Sequence, residues 1–439
     1  MEVGVRRAIC RRRAVFGRER LAPRWEMADM PDGTQGRRDG EAEDLLAQLV
    51  GIESTAPGAY EGDVEAFVRG WLQDRIAAAP AARATLQEVE ALPGRTCLRA
   101  TIPATSGPAA GMVSGPSDLT LICHLDTVVV GAGWDDATPP FGAAVRGGSL
   151  YGRGACDMKG GLACAMLAFA DALAEVQRDG ALPRRSLSLV CTVDEEDLMR
   201  GVEACIRADW LGGTGWVLDT APTAGLARGS HKGRTWFRLT MHGRTAHAST
   251  PWQGADAIAA MAEAVCRVRA AVGGLPSHPE LGDSTVTFGR VEGGYSPYVV
   301  PDECTVTIDL RLAPPTGTQE AELLVRQAAD EAERAVPGTR ASLCCTGSRP
   351  PVELDPDSPL LAALGVASQE AWGERPGVGV FTGYTDSAVV AATCGNPTCL
   401  SYGPGSLEVA HKPNEHVPLE DLARVRAVLS RLAWDVLWG

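Results

Sequence analysis

The stretch LTLICHLDTV, residues 119–128, decides the fold class, because an apolar run of strand length leads directly into a histidine and an aspartate. Two further apolar runs follow, SLSLVCTV at 186–193 and GWVLD at 215–219. Between the first two lies GGLACAMLAFADALAEV, residues 160–176, which is long and apolar enough for a buried helix. Short apolar strands that alternate with helices are typical of a parallel sheet covered by helices. We therefore predict an α/β fold with a mixed, mostly parallel sheet and helices on both faces.

A middle segment of the chain follows a different pattern. TWFRLTMHG at 235–243 alternates polar and apolar residues like a half-buried strand, and a long helix and two more strand patterns follow it. Such a set suits a small α+β lid domain inserted into the main one. The predicted division is a disordered basic leader at 1–40, the first part of the catalytic α/β domain at 41–227, the inserted lid at 228–343 and the second part of the catalytic domain at 344–439.

The composition limits the classes of partner. The formal net charge of −14 argues against nucleic acid as a partner. No apolar run approaches the ~20 residues that cross a bilayer, so we expect a soluble protein with no membrane partner. Thirteen cysteines, an odd number without a C-x-x-C pair or a secretory signal, favour free thiols in a reducing compartment. We therefore expect a cytoplasmic protein.

The N-terminal segment is unusually basic. Residues 1–25 hold eight arginines against two glutamates and have no apolar core of signal-peptide length. An arginine-rich transit peptide is an alternative, although the serines usual in such peptides are missing. We expect a disordered leader, or a start codon assigned too early, with Met27 or Met30 as the true first residue.

Histidines and carboxylates stand where the predicted strands end, which is where metal centres are usually built. His124 ends the first apolar run, and Asp126, two residues on, faces the same way in a strand. Asp157 lies in the glycine-rich GSLYGRGACDMKGG (148–161), just before the apolar helix. Glu195 and Glu196 belong to CTVDEED (191–197), where a strand runs into four acids.

Each of these features has a simpler explanation on its own. A histidine at a strand end can be hydrogen-bonded in the core, Asp157 can cap the following helix, and acids after a strand often form a solvated loop. Asp219 at the end of GWVLD, FTGYTDSA (381–388) and GPGSLEVAHKPNEHVP (403–418) are equally weak alone. Their joint order along the chain favours a metal or acid–base site.

In this order the motifs resemble the di-zinc aminoacylases and carboxypeptidases. That family includes acetylornithine deacetylase, succinyl-diaminopimelate desuccinylase and glutamate carboxypeptidase. The resemblance extends from about residue 41 to the C-terminus. The matching motifs are HLDTV (124–128), YGRGACDMKGG (151–161), VDEE (193–196), GRTAHASTPWQGADAI (243–258), VVPDECTVTIDLR (299–311) and AHKPNE (410–415).

The resemblance implies two bound divalent metal ions. Zinc is the first expectation, and cobalt or manganese also suit a ligand set of nitrogen and oxygen atoms. The implied ligands are His124, Asp157, Asp219, Glu196 and His411. The first three would hold one ion, and Asp157 would bridge to a second ion held by the last two. Asp219 is the least regular match, because relatives usually carry a Glu-Pro-Thr context where this chain has LDTAPT.

The resemblance also implies the catalytic groups. Glu195 would be the general base for a hydroxide that bridges the two metals. Asp126 would orient His124, and His247 of the lid would polarise the scissile carbonyl. Arg311 would pair with the substrate carboxylate, a task suited to a planar guanidinium.

Three further positions are expected at the substrate. Gly383 and Thr385 belong to FTGYTDSA, and Tyr298 stands before V-V-P, where relatives often carry Asn. The Tyr298 departure predicts an altered specificity. The resemblance also predicts a cis peptide bond between Asp157 and Met158.

The reaction that the resemblance implies is hydrolysis of the amide bond of an N-acyl amino acid. The motif around Asp157 is most similar to the acetylornithine deacetylase and desuccinylase branch, and a metallo-dipeptidase or carboxypeptidase acting on a short peptide is the alternative. We expect a homodimer formed through the lid, with His247 serving the partner's site, because a two-fold contact would cover the edge of the lid sheet.

Overall fold

The computed structural model describes residues 33–105 and 115–439. The helices are α1 (Gly33–Val50), α2 (Gly62–Ala78), α3 (Gly160–Asp179), α4 (Arg200–Arg207), α5 (Ala257–Val272), α6 (Thr318–Ala335), α7 (Pro359–Trp372), α8 (Asp386–Cys394) and α9 (Leu419–Trp438). The strands are β1 (Thr85–Leu92), β2 (Arg95–Ile102), β3 (Leu119–His124), β4 (Ala144–Arg146), β5 (Ser149–Tyr151), β6 (Leu187–Thr192), β7 (Trp216–Asp219), β8 (Ala227–His231), β9 (Gly233–His242), β10 (Thr285–Gly293), β11 (Glu303–Leu312), β12 (Arg340–Arg349), β13 (Val378–Phe381), β14 (Cys399–Ser401) and β15 (His416–Pro418).

An eight-stranded mixed sheet forms the main domain, in the order β1-β2-β6-β3-β7-β14-β8-β13. Its centre, β6-β3-β7-β14, is parallel, and antiparallel pairings occur at β1-β2, β2-β6 and β14-β8. Every residue of β3 and of β6 is buried, because helices cover both faces of these strands. This explains why their sequences are apolar runs rather than alternating patterns. The α/β prediction is confirmed.

Two layers of helices cover the sheet. α3 packs against α9 and α1, and α9 also packs against α7, whereas α4 and α8 pack together in a second layer. Within the described chain, Ala155–Asp179 is the one helical stretch with the length and hydropathy to cross a membrane. Because 72% of its apolar window is buried inside the fold, its hydropathy is that of a core helix.

The inserted lid has its own sheet and its own core. Four antiparallel strands lie in the order β10-β11-β9-β12. Alternate residues of β9 and β11, from Phe237 to Leu312, are buried beneath α5 and α6. The opposite face of the sheet carries the polar side chains, as the alternating sequence predicts.

The strand bounds correct the predicted junctions by a few residues. The lid was predicted to span 228–343, but β8 belongs to the large sheet up to His231, and β12 continues in the lid sheet to Arg349. Only Lys232 separates β8 from β9, so no loop marks the first junction in the sequence. The predicted leader, 1–40, lies outside the described residues up to position 32, and its last residues belong to α1 rather than to a disordered segment.

Candidate metal centre

The site lies at the carboxyl edge of the parallel strands. His124 is the last residue of β3, Asp219 is the last residue of β7, and Glu195 and Glu196 follow β6 after a two-residue turn. Because β6, β3 and β7 are parallel neighbours, their C-terminal ends meet at the same edge of the sheet. Open α/β sheets commonly bind their ligands at this edge.

Asp157 occupies the centre of the site, between two imidazoles. Its Oδ1 lies 3.2 Å from Nε2 of His124, and its Oδ2 lies 3.4 Å from Nε2 of His411. Burial would raise the pKa of Asp157, but hydrogen bonds from both histidines outweigh it and lower the pKa below its usual range. One carboxylate thus presents a separate oxygen to each of two ligand groups.

The backbone around Asp157 explains the glycines and the departure from regular helix. Gly154 has φ +81°, and a Cβ at this position would lie 2.5 Å from the Thr127 side chain. The Asp157–Met158 peptide bond is cis, as predicted. Asp157 itself has extended backbone angles, so it does not serve as the plain helix cap that was the simpler explanation.

Glu196 and His411 flank the second oxygen of Asp157. Nε2 of His411 lies 3.1 Å from Oε1 of Glu196, and the His411 side chain is 48% exposed to the cleft. His124, Asp157 and Glu196 offer ligand atoms that all lie within 4.8 Å of one another. The arrangement therefore has the closely spaced nitrogen and oxygen donors that a divalent transition metal requires.

Glu195 lies beside the first imidazole and is almost fully enclosed. Its Oε2 is 3.9 Å from Nε2 of His124, and its side chain is 11% exposed. Burial raises the pKa of Glu195 well above the usual value, and the neighbouring carboxylates Glu196, Asp386 and Asp157 raise it further. A carboxylate with a raised pKa is suited to accept and return a proton near neutral pH.

Asp126 supports the site in a different way from the one predicted. The Nδ1 of His124 donates to the backbone carbonyl of Asp126 at 2.9 Å, whereas the Asp126 carboxylate is 3.8 Å away. This carboxylate accepts hydrogen bonds from the backbone N–H groups of Glu195 (3.2 Å) and Glu196 (3.0 Å). The prediction that it directly orients His124 is corrected, because Asp126 holds the backbone that carries the two glutamates.

Asp219 is buried at the edge of the same site. Its Oδ1 accepts a hydrogen bond from the Ala221 N–H at 2.8 Å, and its Oδ2 receives a long one from the Ser387 N–H at 3.4 Å. Burial raises its pKa to about 6, and it interacts electrostatically with His124 and Asp157. Among the described residues it is not one of the three that offer mutually adjacent ligand atoms.

Glu415 is a buried residue beside the candidate site that the sequence analysis did not single out. Its Oε1 accepts hydrogen bonds from the N–H groups of Cys156 and Asp157, both at 3.0 Å, and its Oε2 pairs with Arg153. Glu415 and Arg153 are both buried. The pair fixes the backbone that carries the central carboxylate. Its place in the motif AHKPNE, four residues after His411, was the available signal.

The lid residues are not brought to this centre. The His247 ring is exposed and its Nδ1 lies 2.7 Å from the Ser249 hydroxyl, and Tyr298 beside it is 73% exposed. Arg311 forms two hydrogen bonds to Asp309 on its own strand, at 2.8 and 3.1 Å. Within the described chain, these three residues therefore make no contact with the ligand groups.

Of the two residues predicted to contact substrate from the loop 381–388, only one is partly exposed. Thr385 is buried, and its hydroxyl accepts from the Ala388 N–H at 3.3 Å, which caps α8. The same hydroxyl lies 3.2 Å from Nε2 of His231. Thr385 therefore shapes the loop rather than presenting its hydroxyl to a substrate, whereas Gly383 is partly exposed in the loop.

A carboxylate between two imidazoles, with a glutamate pair beside it, has the donor set of a metal-dependent hydrolase. The sequence model of peptidase family M20/M25/M40 matches residues 120–435, so the chain belongs to this family and is a hydrolase that acts on amide bonds.

The relatives support the same family. The chain is 28% identical to acetylornithine deacetylase of Myxococcus xanthus over 73% of this chain and 80% of that one. It is 29% identical to a probable carboxypeptidase of Aspergillus flavus over 70% of each. A dinuclear metal-binding M20 peptidase of Bacillus subtilis shares the fold, with a TM-score of 0.67 at 16% identity, over 93% of this chain and 99% of that one.

Proposed function

We propose that the protein is an N-acyl amino acid amidohydrolase of the acetylornithine deacetylase kind that uses two divalent metal ions. The observation that carries the proposal is the position of Asp157, with one oxygen toward His124 and the other toward His411. A carboxylate that presents one oxygen to each side could hold two ions, and the B. subtilis neighbour of similar fold is a dinuclear metal-binding peptidase.

Each ion would have its own ligands besides Asp157. His124 and Asp219 would hold one ion, and Oδ2 of Asp219 accepts only a long hydrogen bond, at 3.4 Å, from the Ser387 N–H. Glu196 and His411 would hold the other. The donors are nitrogen and oxygen atoms without thiolate, which suits zinc and also cobalt or manganese. Zinc is the metal that we propose.

When bound, the metal ions would lower the pKa of a water and polarise the scissile carbonyl. Glu195 is placed to take the proton from that water and to return it to the leaving amine, because its raised pKa suits both steps. Asp126 and Glu415 hold the backbone on either side of the reacting centre, so the carboxylates keep their positions. Arg311 would bind the substrate carboxylate once the lid is closed.

The lid supports the proposal of a homodimer. His247 is exposed and its ring contacts Ser249, and Tyr298 and Trp252 of the same lid region are 73% and 76% exposed. Large exposed apolar side chains around a functional group commonly mark an interface. A two-fold contact through the lid would cover them and bring His247 to the partner's site. We place this dimer in the cytoplasm, on the basis of the free cysteines.

The alternative is a metallo-dipeptidase or carboxypeptidase. It is favoured by the probable carboxypeptidase from A. flavus, which is as similar to this chain as the deacetylase is. Both reactions cleave an amide next to a carboxylate, so the same centre would serve either one.

The deciding experiment is a substrate screen of the zinc-loaded protein with N-acetyl amino acids, N-succinyl amino acids and simple dipeptides. Metal-stripped protein and the Glu195→Ala variant are the controls, and both must be inactive on every substrate that the wild type cleaves. A preference for N-acyl amino acids supports the proposal. A preference for dipeptides replaces it with the alternative, and activity in the stripped protein contradicts a metal mechanism.

A further inference from the structure

Three arginines stand in a row across the root of the lid sheet. Arg234 of β9 pairs in register with Arg311 of β11 on one side and with Arg349 of β12 on the other. All three lie on the face that the lid helices leave free, because their strand neighbours Thr235 and Leu310 are buried on the other face. Like charges that face each other across strands are destabilising, so such a row requires compensating anions.

The protein supplies carboxylates to two of the three. Arg311 pairs with Asp309 at 2.8 Å, and Arg349 pairs with Glu203 at 2.7 Å. Arg234 has no carboxylate within 4.0 Å among the described residues, and it stacks 4.2 Å from the centroid of the Trp236 ring instead. Counted as direct ion pairs, the three guanidinium groups thus have two carboxylate partners, while Glu195 and Asp309 only partly raise the pKa of Arg234.

The donors of the row are also incompletely used. The Nε atoms of Arg234 and of Arg349 are buried without a hydrogen-bond acceptor among the described residues. Burial lowers the pKa of Arg234, and the adjacent Arg311 lowers it further. A half-buried guanidinium with a buried, unused Nε–H and neighbouring positive charge is well suited to bind an anion.

The row borders the proposed active site. Arg234 donates to the carbonyl of Asp197 at 3.0 Å, and Arg349 donates to the carbonyl of Leu198 at 2.8 Å. These two residues directly follow Glu195 and Glu196 in the chain. These backbone contacts set the guanidinium groups of Arg234 and Arg349 beside the segment that carries Glu195 and Glu196. An anion bound by the row would therefore belong to the molecule that is being cleaved.

We propose that Arg234, flanked by Arg311 and Arg349, binds a second carboxylate of the substrate, so that the preferred substrates are dicarboxylic N-acyl amino acids. The second carboxylate is either on the amino acid side chain or at the end of the acyl group. This inference rests on the proposed amidohydrolase function and narrows its substrate class. Arg311 would keep the carboxylate next to the scissile amide, and Arg234 is the guanidinium left for the second one.

The test uses two pairs of substrates. The two members of each pair differ only in whether the second carboxylate is present or is replaced by a neutral amide. N-acetyl-L-glutamate is compared with N-acetyl-L-glutamine, and N-succinyl-L-alanine with its succinamoyl analogue, in which an amide replaces the terminal carboxylate. In wild type, kcat/KM for the acidic member of at least one pair should exceed that of its neutral partner by about ten-fold or more, as expected for hydrogen bonds to a charged group. Equal rates within both pairs overturn the inference.

Variants separate an anion site from a merely structural role. Arg234→Gln should reduce the acid-to-amide ratio to about one, whereas Arg326→Gln, an exposed lid arginine paired with Glu322, should leave it unchanged. If Arg234 only holds the Asp197 carbonyl, the substitution slows both members of each pair equally and the ratio stays as in wild type. That result contradicts the inference.

A binding measurement does not depend on catalysis. Calorimetry with glutarate and with the monocarboxylate glutaramate tests the row in wild type and in Arg234→Gln. Glutarate should bind wild type about ten-fold more tightly than glutaramate, and the variant should lose this difference. If the protein cleaves no N-acyl amino acid but shows this difference, the proposed function fails and the anion site stands. Equal binding of the two ligands overturns the site itself.

Discussion

The carboxyl edge of the large sheet and the lid differ in how closely their predicted site residues meet within a single chain. At the sheet edge, Asp157, Glu196 and His411 already touch one another in a single chain. In the lid, His247 is exposed and Arg311 is paired with its neighbour Asp309. The candidate metal centre is therefore assembled within one domain, whereas His247 and Arg311 of the lid make no contact with its ligand groups among the described residues.

The difference has a physical origin. Clustered carboxylates are tolerated at the sheet edge only because rigid strands, buried hydrogen bonds and opposite charges hold them, and such a centre is best built in a fixed framework. Substrate contacts must open and close for entry and release, so they are better placed on a separate domain. Five tests bear on this contrast, the largest expected effect first.

Removal of the general base should separate catalysis from metal binding. We expect Glu195→Ala to lower kcat by about 10²–10⁴-fold while the metal content stays at the wild-type level, because a base can be removed without loss of a ligand. Glu196→Ala is the matched contrast and should lose metal. Metal analysis and steady-state kinetics provide the two readouts. Loss of an ion from the Glu195 variant would make that residue a ligand.

The lid should act in trans. His247→Ala should lower kcat by about 10²–10³-fold, the usual cost of one oxyanion donor. When this variant and Glu195→Ala are unfolded and refolded together, about half of the dimers are mixed and each contains one complete site. Activity should then recover to roughly a quarter of wild type. If the mixture stays at the level of the two parents, His247 serves its own subunit and the contrast between the regions weakens.

Glu415, whose carboxylate holds the backbone at Asp157, should increase the affinity for metal. Glu415→Gln keeps the size of the side chain but weakens the hydrogen bonds to the N–H groups of Cys156 and Asp157. We expect zinc affinity to fall about 10–100-fold, as for other residues that orient a ligand. Glu420→Gln, an exposed position on α9, is the control. Competition with a chromophoric chelator measures the zinc affinity of both variants. Equal affinities would show that the fold holds Asp157 in place without the Glu415 carboxylate.

Protons should compete with metal at the histidines. In the metal-free protein, hydrogen bonds to Asp157 and Glu196 raise the pKa of His411 to about 10. For His124, burial opposes protonation, but Asp157, Glu195 and Asp126 outweigh it and raise the pKa. His411 is therefore protonated at neutral pH, and the pKa of His124 is shifted in the same direction, so metal binding should displace protons from these ligands.

The affinity for metal should accordingly rise with pH, by about ten-fold per pH unit for each proton released. The rise should end where the pH reaches the pKa values of the histidines in the metal-free protein. Calorimetry in two buffers of different ionisation enthalpy counts the protons directly. An affinity independent of pH between about 6 and 9 would contradict protonated ligands at the sheet edge.

The smallest effect is expected from the basic leader, for which the structure describes no residues before 33. Removal of residues 1–26 takes away eight arginines and three glutamates and changes the formal charge from −14 to −19. Because this segment is polar and has no apolar face to dock, we expect the same Tm and kcat as for the full chain. A large drop in Tm or in kcat would show that residues 1–26 pack against the sheet domain or the lid.

The sequence alone determined the main features of the fold and most of the residues that meet at the candidate metal centre. Apolar runs such as 119–124 are diagnostic because strands buried on both faces are mostly apolar rather than alternating. The histidines and acids then fall at strand ends, where parallel topology brings them together. The predicted domain junctions were a few residues off, and at the first lid junction the reason is that a single residue separates β8 from β9.

Tertiary structure decided which atoms meet. The sequence placed Asp126 beside His124, but the fold turns its carboxylate to the backbone of Glu195 and Glu196. It also buries Thr385 as a helix cap and aligns three arginines from strands up to 115 positions apart, between Arg234 and Arg349. Hydrogen bonds and strand register depend on contacts between residues distant in the chain, and a local pattern does not contain them.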